Sequence, residues 1–319
     1  MAALAKVFDT AALRRSIYSK DKAERADLAQ LLALSTQAGD DQDYLALVAD
    51  VGRDALDLDV EPRGYVSDAD ARWLISEIGD VGGLSCRAEF ETLKAVIGHA
   101  VSVPPSLAAF AVGEVKRAVL GGRRGPAGAD HPAGIVTAAD VEALRLFCFA
   151  PIAGAAMHVD RATAEALFEI AHATAQADNA PEFADFFAQA VGNHLLGAVF
   201  LDPASREERL SLTRALDRPA PGFGQFLSGI AGGLFAPNVS DGRKSVDRLA
   251  QEIVNEENEE IGDRLDAAAE VDLVEARWIL AHLTRPGELS AAEKRLLAFL
   301  RDEAASAPPE ITALYAPSE

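Results

Sequence analysis

Residues 66–73, VSDADARW, return as residues 271–278, VDLVEARW, and these two stretches contain both tryptophans of the chain. The match continues at the same spacing through a glycine and a Leu-Ser pair. After one residue drops out, it extends to a proline pair in each stretch, at 104–105 and 308–309. Self-similarity at a fixed spacing is typical of helical repeat proteins. A weaker copy between the two aligns Glu165 with Glu89 and Pro181 with Pro105.

Each copy opens with a helix-start signal, in which a capping side chain is followed three positions on by an acid. The pairs are Ser67 with Asp70, Thr137 with Asp140, and Asp272 with Glu275, and the residues before them, Val66, Val136 and Val271, stand where a hydrophobic staple would lie. A second helix is expected from Ser85, and its counterpart from the capping box of Ser290 and Glu293. A third helix is expected after each proline pair. No stretch alternates with period two, so the sequence predicts an all-α protein of three diverged helical repeats.

These patterns divide the chain into six segments. They are an N-terminal helical extension (1–60), repeat 1 (61–120), a Gly- and Pro-rich linker (121–134), repeat 2 (135–199), an insertion (200–268) and repeat 3 (269–319). The extension is expected to hold about three amphipathic helices. The insertion contains a Gly-rich apolar segment and an acidic helix.

Composition narrows the classes of function. The chain has 319 residues and a net charge of −20, so its surface repels phosphate, and no nucleic-acid partner is predicted. Only two cysteines are present, and no leader or long apolar run is found. We therefore expect a cytoplasmic protein without a disulfide framework or membrane span. The excess of Arg over Lys and the abundance of Ala suggest a high-GC bacterial source.

Residues 282–293, HLTRPGELSAAE, resemble the twelve-residue loop of an EF-hand. Gly287 falls at the turn position, Leu289 at the apolar eighth position and Glu293 at the closing carboxylate. A similar hinge occurs in helical domains of the tellurite-resistance type. The resemblance implies helix–loop–helix units and, in intact EF-hands, calcium. Here the first, third and fifth loop positions carry His, Thr and Pro instead of the usual oxygen ligands, so no cofactor is predicted.

One helical face carries residue types that could bind a metal. Glu165, Glu169 and His172 lie at i, i+4 and i+7, and Glu-x-x-His is half of the di-iron motif of helical bundles. A second such half is absent from the sequence, so the alternative is a solvated face. The six histidines otherwise follow no ligand spacing, and most are expected to be structural or surface residues. No nucleophile or phosphate-binding motif is found, which favours a protein that is not an enzyme.

The most unusual stretch is residues 219–238, which carry no charge. Its apolar residues, which we assign as candidate partner contacts, are Phe223, Phe226, Leu227, Ile230, Leu234 and Phe235. Two interpretations stay open: a helix packed inside the fold, or an apolar element that docks on a partner. The acidic stretch at 252–263 is either a solvated face or a surface for a basic partner.

The prediction is a non-enzymatic interaction or regulatory protein that binds another protein. The alternatives are a metal-dependent enzyme or metal-binding protein that uses the Glu165 face, and a structural homo-oligomer.

Overall fold

The computed structural model describes residues 9–20, 22–60, 63–79, 83–122, 131–150, 159–196, 271–283, 288–304 and 306–315. Most of these residues are helical and none of them forms a β-strand, so the all-α class is confirmed for them. The helices in chain order are α1 (Thr10–Ile17), α2 (Arg25–Ala38), α3 (Gln42–Ala55), α4 (Asp68–Ile78), α5 (Arg87–His99), α6 (Pro105–Gly121), α7 (Ala138–Cys148), α8 (Arg161–Ala173), α9 (Glu182–Leu195), α10 (Leu273–Leu283), α11 (Ala291–Glu303) and α12 (Pro309–Thr312), followed by a 3-10 turn (Ala313–Tyr315). None of them has both the length and the apolar character needed to cross a bilayer.

Helices α4, α7 and α10 begin where the capping boxes predict, and each is 11 residues long. In each start the capping side chain accepts from the N–H of the acid, and the acid accepts from the N–H of the capping residue. The pairs are Ser67 with Asp70, Thr137 with Asp140, and Asp272 with Glu275. The valine before each pair is buried. These bonds satisfy N–H groups that a helix start otherwise leaves without partners.

Helices α5, α8 and α11 are each 13 residues long. The α11 start has the predicted capping box. The α5 start differs from the prediction, because its N-cap is Cys86, whose N–H donates to Glu89 at 3.1 Å. At the α8 start Asp160 accepts from the N–H of Thr163 at 2.7 Å. Thr163 therefore holds the place of Glu89 in this helix, and the predicted alignment of Glu165 with Glu89 is displaced by half a turn.

In two groups of three helices, α4–α6 and α10–α12, a backbone hydrogen bond ties the segment just before the third helix to the valine before the first. The Val66 N–H donates to the Ser102 carbonyl at 2.9 Å, and the Val271 N–H donates to the Ser306 carbonyl at 3.0 Å. Both bonds join positions that the sequence match pairs with each other. In α6 the first-turn proline predicted by the 104–105 pair is present.

Among the described helices, packing between one group of three and the next described group follows one rule. The last helix of a group lies on the middle helix of the next, so that α3 packs on α5, α6 on α8 and α9 on α11. The contacts of α3 with α5 and of α9 with α11 are the most extensive. Each has a glycine at the eleventh position of a 14-residue helix: Gly52 faces Thr92, and Gly192 faces the ring of Phe299. The two helices of each pair can approach this closely because glycine has no Cβ.

Three stretches of sequence separate the four groups that the described residues form. Residues 56–67 lead from α3 to α4, and residues 122–137 lead from α6 to α7. The third connection, residues 196–272, contains the predicted insertion, and positions 197–270 lie outside the described residues. The same holds for positions 123–130 of the predicted linker.

The described end of that linker is anchored by a buried ion pair. His131 and Asp140 side chains are 2% and 0% exposed, and Nε2 of the ring lies 2.6 Å from Oδ2 of the carboxylate. Nδ1 of the same ring lies 2.9 Å from the Pro132 carbonyl. Since both ring nitrogens face acceptors, both act as donors only in the imidazolium form. The hydrogen bond to Asp140 accordingly raises the pKa of His131.

A second buried carboxylate fixes the loop between α4 and α5. Glu114 of α6, 3% exposed, accepts from the Leu84 N–H at 2.8 Å and pairs with Arg117 at 2.8 Å. Gly83 adjoins this pair with φ of +85°. A Cβ at Gly83 would overlap the ends of the Arg117 and Glu114 side chains, and side chains rarely adopt this positive φ, so both features favour glycine here.

Candidate functional site

Three histidines that lie far apart in the sequence meet where α8, α9, α10 and α11 join. We call this group, with the two aromatic residues between them, the histidine cluster: His172 and Phe168 from α8, His194 from α9, and His282 and Trp278 from α10. The cluster links α10 to α8 and α9.

Aromatic stacking holds the cluster together. The His282 ring stacks on Phe168, with centroids 4.3 Å apart and planes 13° from parallel, and lies 6.2 Å from the His172 ring. Trp278 meets both Phe168 and His282 edge-on, at 5.5 and 5.0 Å. The His194 ring lies 5.0 Å from the Trp278 ring. Aromatic pairs in this geometry stabilise by about 1 kcal/mol each beyond the area they bury.

Two carboxylates border the cluster, and both already have hydrogen-bond donors. Glu293 lies 3.1 Å from Nε2 of His172 and accepts from the Ser290 N–H at 2.7 Å, so the α11 cap is also an interhelical contact. Glu165 accepts from Arg161 at 3.1 Å and from the Trp278 indole N–H at 3.4 Å. The hydrogen bond from Arg161 lowers the pKa of Glu165.

The ring nitrogens differ in their surroundings. His194 has Nδ1 2.9 Å from the Val159 carbonyl, and because a carbonyl only accepts, Nδ1 carries a hydrogen. Burial lowers the pKa of His194. In His172, Nδ1 is buried and has no hydrogen-bond partner in the structure.

An arginine stacks on each tryptophan in the same way. The guanidinium of Arg161, the first residue of α8, lies 5.4 Å from the Trp278 ring centre. The guanidinium of Arg25, the first residue of α2, lies 4.5 Å from the Trp73 ring centre and pairs with Asp70. Trp73 and Trp278 occupy the same position in the two matched stretches of sequence. The two stretches therefore also share a contact between the tryptophan and an arginine at the start of another helix.

The predicted metal-ligand face does not converge on one point. Glu169 pairs with Lys116 of α6 at 2.9 Å, Glu165 with Arg161, and His172 with Glu293. Over the ranges that the structure covers, no three His, Cys, Asp or Glu side chains are placed to hold a metal ion. The EF-hand resemblance stays a prediction, because residues 284–287 of its loop lie outside the described ranges. The closing residue Glu293 is present and serves the α11 cap.

The cysteine side chains are buried thiols. Burial raises the pKa of both Cys86 and Cys148, which keeps them protonated and unreactive as nucleophiles. The predicted partner contacts Phe223, Phe226, Leu227, Ile230, Leu234 and Phe235 lie outside the described residues, as does the acidic stretch at 252–263.

Local sequence rules missed the histidine cluster because its members come from three helices. Ligand-spacing motifs test neighbours on one element, and only Phe168 and His172 share a helix face at i and i+4. The one feature of the sequence that could have indicated the cluster is the matched Trp278, because the other rings contact the helix that carries it. Comparison with protein-family models, with curated proteins and with solved structures finds no match to this chain.

Proposed function

We propose that the chain is a helical repeat protein that binds another protein and has no catalytic site. In this proposal its repeats are three-helix units, and the first three helices form a fourth, more diverged unit. The resemblance to EF-hand and tellurite-resistance domains is then limited to the helix–loop–helix of each unit. Support comes from the equal lengths of α4, α7 and α10 and of α5, α8 and α11.

The observation that carries the proposal is the packing rule between units. Among the helices that the structure describes, the last helix of one unit lies on the middle helix of the next in three places. Proteins built this way are extended stacks whose surfaces and grooves suit capture of peptides or helices. Within the described residues α1–α6 also correspond to α7–α12, since each set contains an Arg–Trp stack and a glycine crossing.

We place the partner contact in the third connection. The connections 56–67 and 122–137 are short, whereas residues 196–272 carry the charge-free segment 219–238 at the equivalent junction. No stretch of comparable length separates α3 from α4. Exposed apolar side chains on such a segment would bind an apolar partner surface through area burial.

Deletion of residues 219–238 and Phe226→Asp test this proposal. We expect both variants to lose proteins that the intact chain retains from an extract of its source, while the far-UV circular dichroism stays unchanged. The matched control is Leu120→Asp, which changes an apolar side chain that is 39% exposed on α6 and should retain the same proteins. The proposal fails if the intact chain retains nothing specific, if the deletion variant retains the same proteins, or if Phe226→Asp unfolds the chain.

Neither of the two alternative functions, metal binding and a structural homo-oligomer, is supported by an observation comparable to the packing rule. Glu165, Glu169 and His172 are engaged by three different partners, and a metal-dependent reaction would need them together. A homo-oligomer would appear in the solution mass, which separates it from the proposed role.

A further inference from the structure

We propose that a groove between α3 and α5 binds an aromatic side chain of a partner protein in which acidic residues flank that side chain. The groove shares no residue with the segment 219–238, so the inference goes beyond the proposed function. We call it the α3–α5 groove, and its lining includes Ala46, Ala49, Arg53, Lys94, Ala95 and Gly98. Its volume is about 400 Å³, whereas clefts that bind ligands measure about 300–1,000 Å³.

The corresponding place between α9 and α11 shows which side chain fits the groove. Helices α5 and α11 are both 13 residues long, and their ninth residues are Ala95 and Phe299. Helices α3 and α9 are both 14 residues long, and their eleventh residues are Gly52 and Gly192. The Phe299 ring lies against Gly192 and packs on the core. At the α3–α5 crossing alanine replaces this phenylalanine, so no ring is present at that position of α5.

Small residues at two further positions keep the groove open. Ala46 is exposed, whereas the fifth residue of α9 at the same position is Phe186, which is fully buried. A Cβ at Gly98 would lie 3.6 Å from Leu146 of α7, its nearest neighbour, which is an ordinary contact. Packing within the described part of the chain therefore does not require glycine at position 98. An entering ring would find an apolar floor of alanines beside a leucine.

Basic side chains outnumber acidic ones around the groove. Its lining contains Arg53, Lys94 and His99 but only one carboxylate, that of Asp50. Asp50 is shared between two cations, since it lies 2.5 Å from Arg53 and 2.9 Å from Arg14. The remaining ion pairs at the groove are Lys94 with Glu91 at 3.3 Å, Arg87 with Glu91 at 3.6 Å, and His99 with Asp59 at 3.1 Å. In these pairs four permanent cations face three carboxylates, although the whole chain has a net charge of −20.

The partner that matches these features is a peptide segment with one aromatic ring between acidic residues. The ring takes the place that Phe299 takes at the α9–α11 crossing, and its carboxylates approach Arg53 and Lys94. Aromatic side chains that fill a pocket are the usual anchors of protein interfaces, and complementary charge favours the encounter. The segment 219–238 of the chain itself carries no charge and lacks this complementarity.

A short peptide tests the groove directly. The probe is the peptide Asp-Glu-Phe-Glu-Asp, blocked at both ends, with a fluorine at the para position of its ring. We expect its fluorine NMR signal to broaden as the full chain is added and to saturate with a dissociation constant of about 1 mM or lower. The peptide Asn-Gln-Phe-Gln-Asn, with the same labelled ring, removes the charges. It should bind about threefold or more weakly at low salt, and added salt should reduce this difference.

Variants of the chain locate the binding. Ala95→Phe supplies the ring that Phe299 supplies at the other crossing, and it should weaken binding of the probe about tenfold or more, because the ring occupies the apolar floor. The matched control is Ala109→Phe, which adds the same ring at an exposed position of α6 and should leave the affinity unchanged. If the circular dichroism shows that Ala95→Phe does not fold, Gly98→Leu replaces it and should give the same loss.

Deletion of residues 219–238 should leave the affinity for the probe unchanged, so this proposal and the proposed function fail separately. The groove proposal is overturned if the intact chain does not bind the probe saturably, if the folded groove-filling variant binds it equally well, or if both peptides bind equally at low salt. Tighter binding after the deletion would assign the groove to the segment 219–238 instead. A dimer that Ala95→Phe dissociates would assign it to a second copy of the chain, and either result overturns the proposal.

Discussion

The glycine crossings between units allow the packing rule to be measured. Gly192 of α9 faces the Phe299 ring, and a Cβ there would overlap Cε1. Gly52 of α3 is less crowded, since a Cβ would lie 3.0 Å from Thr92 Cγ2. Gly113 of α6 has nothing within 4 Å and serves as the control. All three lie inside helices, so replacement by alanine improves helix propensity at each by about 1 kcal/mol.

The steric cost separates the three variants. Gly113→Ala should raise the free energy of unfolding by about 1 kcal/mol, because only the propensity changes. Overpacking at Gly192→Ala costs about 1–3 kcal/mol, so this variant should be less stable than Gly113→Ala by that amount. Gly52→Ala should fall between them. Urea denaturation followed by circular dichroism gives the order.

A double variant identifies the source of the loss. If the Phe299 ring causes it, Gly192→Ala should become neutral or stabilising in a Phe299→Ala background, with a coupling of about 1–3 kcal/mol. The reasoning is refuted if Gly192→Ala is as stable as Gly113→Ala, or if the loss persists without the ring. In that case α9 and α11 do not approach as closely as the packing rule requires.

Two further predictions concern the loops between helices. His131→Gln should destabilise most below about pH 6.5, the ordinary histidine value, by up to about 3 kcal/mol. The difference from the unmodified chain should shrink as pH rises through the raised pKa of His131, and urea midpoints across this range would contradict the pairing with Asp140 if the difference grew instead. Gly83→Ala should lower the melting temperature more than Gly39→Ala, because both residues have positive φ but only the Cβ at position 83 meets Glu114. Equal losses would mean that backbone strain alone is responsible.

Helix starts could be predicted from the sequence because their chemistry is local. Ser67 and Asp70 satisfy each other's N–H groups within one turn, so the capping pattern alone locates the start of α4. The same rule failed by one residue at α5. There Glu89 accepts from the backbone of both Ser85 and Cys86, and the serine side chain does not decide which residue is the cap.

Contacts between units could not be predicted in this way. Spacing along the chain carries no information on which helix α8 meets, so Glu165, Glu169 and His172 were grouped on one face although they have partners on different elements. Burial of the His131 ring against Asp140 could not be predicted either, because a Gly- and Pro-rich stretch is typical of a solvent-exposed loop.

The contacts of His131 and His194 respond to acid in opposite directions. His131 has acceptors at both ring nitrogens, so acid strengthens its bond to Asp140, between the two halves of the chain. His194 is buried beside an arginine-stacked indole, and acid weakens its contact, within the second half. The two side chains therefore respond to a fall in pH in opposite directions, because only the groups around their ring nitrogens differ.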